Sequence, residues 1–129
     1  MAEKILLVED NKSVQAQLKE LLEQQGHQVV TACNGLDGYN KALAESFDLC
    51  IVDHLMPLMD GPQLLKNLKG MENNAPGAVL FLSTQDPKMV NSLAEVKLAD
   101  AYLSKPIEKN AFLTTMSELL ESADWAAAG

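Results

Sequence analysis

Five short apolar runs punctuate the chain, and a segment with helical spacing follows each one. Lys4-Ile5-Leu6-Leu7-Val8 is the first run; Val14, Leu18, Leu21 and Leu22 then recur on one helix face, and Gly26 is a natural stop. Gln28 to Ala32 is the second run, and Leu36, Tyr39 and Leu43 mark a helix after Asn34. Gly38 inside that helix costs stability unless it allows close packing. Leu49 to Val52 is the third run; Pro62 opens a helix carrying Leu64, Leu65 and Leu68, and Gly70 stops it. Ala78 to Leu82 follows a polar loop at 71–77, and Asp86-Pro87 starts a helix with Met89, Val90 and Leu93. Ala101 to Ser104 is the last run, before a periodic helix with Phe112, Leu113, Met116, Leu119 and Leu120. That helix begins near Glu108-Lys109-Asn110, without a good N-cap. The alternation predicts an α/β fold: a parallel sheet with helices on both faces, whose doubly buried strands read as continuous apolar runs.

At 129 residues the chain suffices for one domain, placed at 1–122, with a patternless tail at 123–129. No apolar stretch approaches bilayer length, and Met1 leads straight into a strand without a signal peptide's basic region. The expectation is a cytoplasmic protein with no membrane partner; whether it stands alone or is part of a larger protein is left open. Net charge is −8, and all ten basic residues are lysines. Without a basic patch or any arginine, direct nucleic-acid binding is not expected. A docking partner would instead offer basic or apolar groups. Cys33 and Cys50 lie in or beside apolar segments and read as plain buried thiols.

In such folds ligands bind beyond the carboxyl ends of the strands. The first strand ends in Glu9-Asp10, the third in Asp53, the fourth in Ser83-Thr84 and the fifth in Ser104-Lys105-Pro106. If the first and third strands are neighbours, their ends lie ~5 Å apart. Three carboxylates there would repel one another and raise their pKa values unless a cation joins them. A hard divalent ion with oxygen ligands fits, and Mg2+ suits a site with few carboxylates. Two charges from the metal and one from Lys105 would balance the three acids. A carboxylate so held can act as a nucleophile toward a phosphoryl group, with metal, lysine and hydroxyl stabilising its oxygens. Neither a G-x-x-x-x-G-K-[ST] loop nor a G-x-G-x-x-G turn supports a nucleotide site.

The segments ILLVEDN at 5–11, IVDHLMPLMDG at 51–61, FLST at 81–84 and YLSKPI at 102–107, in this order and spacing, resemble the response-regulator receiver domains of two-component signalling. The resemblance covers essentially the whole chain. It implies a flavodoxin-like doubly wound (βα)5 fold with strand order 2-1-3-4-5, the order the chemotaxis member exemplifies. It implies that Asp53 is the phosphoacceptor, supplied by a histidine kinase or histidine phosphotransfer protein. Asp10 and Asp53 would ligate magnesium directly, Glu9 through water, and Leu55 through its backbone carbonyl. Ser83 would swing toward the phosphoryl group, Lys105 would pair with it, and Tyr102 would be the aromatic switch. Lys105-Pro106 would be a cis peptide. The output face would be the fourth helix, fifth strand and fifth helix, on a monomer or weak phosphorylation-dependent dimer. Such a protein is a switch that catalyses its own phosphorylation and dephosphorylation rather than an enzyme acting on others.

Some residues depart from the family pattern. Thr84 stands where a small residue is usual, and its bulk would narrow access for the phosphodonor. Leu55 and Gln85 fall where the dephosphorylation rate is tuned. An apolar Leu55 cannot hold the attacking water, so slow self-dephosphorylation is expected. Two other classes compete: a phosphorylation-independent interaction module on the same fold, and a phosphohydrolase with an aspartyl nucleophile. The complete acid, hydroxyl and lysine set argues against the first. The second would carry a second acid where Leu55 stands. Plainer readings also exist: Asn11 as a helix cap beside a solvated acidic pair, Tyr102 as simple packing, His54 as a partly exposed side chain and His27 as loop.

Overall fold

The structure, a computed structural model, describes residues 3–128, with side chains as far as residue 121; the side chains of the tail expected at 123–129 lie outside the described residues. Strands β1 (Lys4–Val8), β2 (Gln28–Ala32), β3 (Leu49–Asp53), β4 (Ala78–Ser83) and β5 (Ala101–Ser104) alternate with helices α1 (Lys12–Gln24), α2 (Gly35–Ala44), α3 (Gly61–Lys69), α4 (Pro87–Ser92) and α5 (Lys109–Ala128). All strands pair in parallel, in the order β2-β1-β3-β4-β5. The expected flavodoxin-like architecture and strand order are therefore present.

Strand alternation divides the core in two. Leu6, Val8, Cys50, Val52, Val79 and Phe81 face one side and pack with Ala42, Leu64, Leu65, Leu68, Val90 and Val96. Ile5, Leu7, Leu49, Ile51, Leu80 and Leu82 face the other, against Leu18, Leu22, Phe112, Met116 and Leu120. Burying each such side chain is worth about 1.5–3 kcal/mol, so helices on both faces are what make the unbroken runs favourable.

Four local expectations change. The inner face of α2 is Gly35, Gly38 and Ala42, while Leu36 and Leu43 are exposed. A Cβ at Gly38 would lie 2.7 Å from Val8 Cγ2; here the glycine does allow close packing. Helix α4 ends at Ser92, because Leu93 is extended (φ −75°, ψ 125°), and a 3-10 segment, Ala94–Leu98, follows it. Glu108 caps α5 after all: its carboxylate accepts hydrogen bonds from the N–H groups of Asn110 (3.0 Å) and Ala111 (2.7 Å). Cys33 is exposed just past β2, whereas Cys50 is buried in β3, where burial pushes its thiol up to about 12.

Candidate functional site

The site grows out of the strand register. Val8 pairs with Val52, Asp53 with Leu82, and Ser83 with Ser104, so the central strands finish at nearly one level. The residues just past those ends are the polar ones. The N–H of Glu9 donates to the carbonyl of Ala32 (3.0 Å), which holds Glu9 in line with the sheet. Asn11 then caps α1 through Oδ1, accepting from Ser13 and Val14, and its own N–H donates to Glu9 Oε1 (3.2 Å). The capping role read from sequence is real, and it coexists with the acidic cluster.

Glu9 and Asp53 are buried, at 1% and 5% exposure, while Asp10 is exposed. One carboxylate oxygen from each of Glu9, Asp10 and Asp53 lies within 4.8 Å of the others. An octahedral oxygen shell at about 2.1 Å places its ligand atoms roughly 3–4 Å apart, so these three acids could hold a small hard cation. Lys105 Nζ lies 2.7 Å from Asp53 Oδ1 and 2.9 Å from Glu9 Oε2. The Lys105-Pro106 peptide is cis, as the resemblance implied.

Electrostatics at this rim follow burial. Loss of hydration pushes Asp53 up to about 6; the Lys105 hydrogen bond opposes that rise and the Glu9 charge adds to it. Burial works against the charge of Lys105, but its bonds to Asp53 and Glu9 outweigh this and hold its pKa above the ordinary value. An acid this poorly compensated favours the arrival of further positive charge.

The β3–α3 loop is pinned by backbone contact. Asp60 caps α3, accepting from the N–H of Gln63 (2.9 Å), and Pro62 opens the helix. The N–H of Gly61 donates to the carbonyl of His54 (2.8 Å). A Cβ at Gly61 would lie 2.3 Å from the carbonyl oxygen of Asp53 and 2.9 Å from Phe81 Cε2, so only glycine fits. Leu58 turns the loop at φ +68°, and its side chain is 79% exposed. The side chain of Leu55, two residues past Asp53, is also exposed.

Ser83 and Tyr102 are placed less simply. Ser83 is fully buried, and its Oγ lies 2.7 Å from His54 Nδ1 and accepts from the N–H of Gln85 (3.0 Å). Tyr102 points its hydroxyl at Ser104 Oγ (3.1 Å), on the exposed side, and its ring centroid is 6.3 Å from that of Phe81. Thr84 is exposed, on the wall of a groove shared with Lys105, Pro106 and Asn11.

His54 departs from the expectation of partial exposure: it is buried, at 6%, with its ring centroid 5.3 Å from that of Phe81. The reason is strand parity. The ladder continues one residue past Asp53, with the N–H of His54 donating to the carbonyl of Leu82 (2.9 Å). His54 therefore falls on the face of Cys50 and Val52, under α3, where burial lowers its pKa. Counting 50, 52, 54 along the strand is the signal that would have found it.

Comparison with known proteins agrees with this geometry. Residues 5–117 match the response regulator receiver domain family. The chain is 31% identical over 117 residues to Protein PilH of Pseudomonas aeruginosa, covering 91% of this chain and 97% of that protein. It spans about half the length of most other curated relatives it matches. Among solved structures it is similar to the signal receiver domain of a signal transduction histidine kinase from Syntrophus aciditrophicus, at 34% identity and TM-score 0.83, covering 94% of this chain and 92% of that one. It is also similar to the response regulator TrrA of Thermotoga maritima, solved in complex with Mg2+ and BeF, at 25% identity and TM-score 0.82, covering 91% of this chain and 98% of that one. With a parallel sheet in the order 2-1-3-4-5 and acids, hydroxyl and lysine gathered at its carboxyl rim, this chain belongs to the response regulator receiver domain family.

Proposed function

We propose that this receiver domain accepts a phosphoryl group on Asp53 and passes the signal on by changing shape. The observation that carries this reading is the Lys105 ammonium seated between Asp53 (2.7 Å) and Glu9 (2.9 Å), beside Asp10. In the reaction, a carboxylate oxygen of Asp53 forms a bond to phosphorus as the bond from phosphorus to a donor imidazole nitrogen breaks. The donor is a phosphohistidine of a histidine kinase or phosphotransfer protein, and the nitrogen keeps the electron pair. Lys105 follows the charge onto the phosphoryl oxygens, and Ser83 supplies a hydrogen bond to them. Glu9, Asp10, Asp53 and the carbonyl of Leu55 would hold Mg2+, which supplies positive charge at the transferring group.

The phosphoryl group adds charge and strong acceptors at a buried rim. Ser83 and Tyr102 repack in response, and the surface of α4, β5 and α5 takes on its partner-binding form. A target is regulated only so far as it prefers that form. The domain works in the cytoplasm as a monomer or as a weak dimer formed on phosphorylation. Incubation with magnesium and acetyl phosphate should add one phosphoryl mass to the intact protein and none to Asp53→Asn. Absence of uptake by the wild type, or equal uptake by the variant, would overturn the reading.

A further inference from the structure

The family pattern gives Ser83 one task, yet in this structure its hydroxyl is already engaged. Ser83 is fully buried, and its Oγ sits 2.7 Å from His54 Nδ1. The N–H of Gln85 donates to the same oxygen (3.0 Å), which leaves the hydroxyl one proton to give and one lone pair. His54 is itself held, buried on Phe81 with its N–H in the β4 ladder. A buried hydroxyl that lost its partner would carry the full penalty of an unmade bond. As donor to Nδ1 it can leave His54 only for another acceptor.

We infer that His54 is a positioning residue that holds the Ser83 hydroxyl in the resting form, so that a phosphoryl group on Asp53 must compete with the imidazole for one proton. The inference rests on the phosphoacceptor reading and adds to it a residue that sets how readily the switch turns. Ser83 donates to Nδ1 at rest and to a phosphoryl oxygen when the domain is active. The ring of His54 also begins a row of aromatic contacts, His54 to Phe81 at 5.3 Å and Phe81 to Tyr102 at 6.3 Å. Release of the hydroxyl thus alters the packing on which Tyr102 rests.

Two measurements test this. The chain has two histidines, so 15N-imidazole NMR resolves His54 with His27 as an internal control. In the free protein His54 Nδ1 should be unprotonated and hydrogen-bonded. On addition of magnesium and beryllofluoride its signal should move to that of an unbonded nitrogen, while His27 stays still. A protonated Nδ1, or a signal that does not move although the mimic binds, would overturn the inference. His54→Phe keeps a ring against Phe81 but removes the acceptor, and should bind beryllofluoride about fivefold more tightly. His54→Asn, which returns an acceptor near Nδ1, should restore wild-type affinity, and in a Ser83→Ala background His54→Phe should change nothing further. Unchanged or weaker binding by His54→Phe counts against the inference. Failure of the wild type to bind the mimic at all would instead strike the phosphoacceptor reading beneath it.

Discussion

Helices α3 and α4 leave neighbouring strands at the same rim, yet they are held very differently. Helix α3 has Asp60 as its cap, Pro62 in its first turn and four buried residues: Gly61, Leu64, Leu65 and Leu68. Its first residue touches the backbone of Asp53 and His54. Helix α4 is six residues long, buries Val90 alone, and gives way at Leu93 to a 3-10 segment. The first corner fixes Asp53, the proposed phosphoacceptor. The second has little apolar burial to hold it, as expected of an element that moves. A switch needs both: a rigid place to receive charge and a nearby segment whose rearrangement costs little.

The most damaging way to attack this contrast is Gly61→Ala. The added methyl meets backbone oxygen at 2.3 Å, which no rotamer change relieves, so a loss of about 3 kcal/mol or more is expected in chemical denaturation. Wild-type stability in that variant would break the claim of a pinned corner. Amide hydrogen exchange compares the two corners directly. Protons of α4 and the 3-10 segment should exchange about 10- to 100-fold faster than those of α3, and equal rates would remove the contrast.

The pinned corner also holds a costly acid. Asp53 titrates near 6 when folded, against an ordinary 3.8. Between those values the native state binds the extra proton, so stability falls as pH rises through this window. The metal-free Asp53→Asn protein should thus be more stable than wild type at pH 7, by about 1–3 kcal/mol, with the gap closing below about pH 4. Magnesium should raise the melting temperature of the wild type but not of the variant. A wild type that is the more stable of the two at pH 7 without metal would show that Lys105 compensates the charge fully.

Smaller effects probe the loop between β3 and α3. Leu55→Asn gives a water near Asp53 a side-chain partner, and should shorten the lifetime of the aspartyl phosphate about tenfold, as one added transition-state hydrogen bond would. An unchanged lifetime would remove Leu55 from the timing of the signal. Leu58→Gly relieves a left-handed backbone at an exposed position, offset by the entropy of glycine; a gain of about 0.5–1 kcal/mol is expected. A loss on denaturation would mean that the Leu58 side chain has a packing role.

The residues that could be read in advance share a physical feature. Strands buried on both faces cannot carry a charge until they emerge, so Glu9, Asp53 and Lys105 announce the rim by where the apolar runs stop. Helix α3 was equally legible, because Asp60, Pro62 and Gly70 mark its ends and its leucines share one face. Helix α2 was misread in detail, since Leu36 and Leu43 look like a core face while glycines take that role. Space beside Val8 decided this, and no periodicity reports it. The cap by Glu108 was missed because a glutamate has to fold back to reach two N–H groups. Cys33 and His54 each sit one residue past the end of a strand, one leaving the sheet and the other continuing its ladder; their burial is accordingly opposite.

Alternation of apolar runs with helical segments by itself determined the α/β class, the positions of the strands and the chemical character of their carboxyl ends, because burial on both faces is a local demand on each run. Tertiary structure alone decided that the Ser83 hydroxyl rests on His54, that Gly61 admits no side chain, and that α4 is cut short. The first depends on which strand lies beside which, the second on how the loop past β3 folds back on its own strand, and the third on the extended backbone at Leu93; a linear pattern carries none of these.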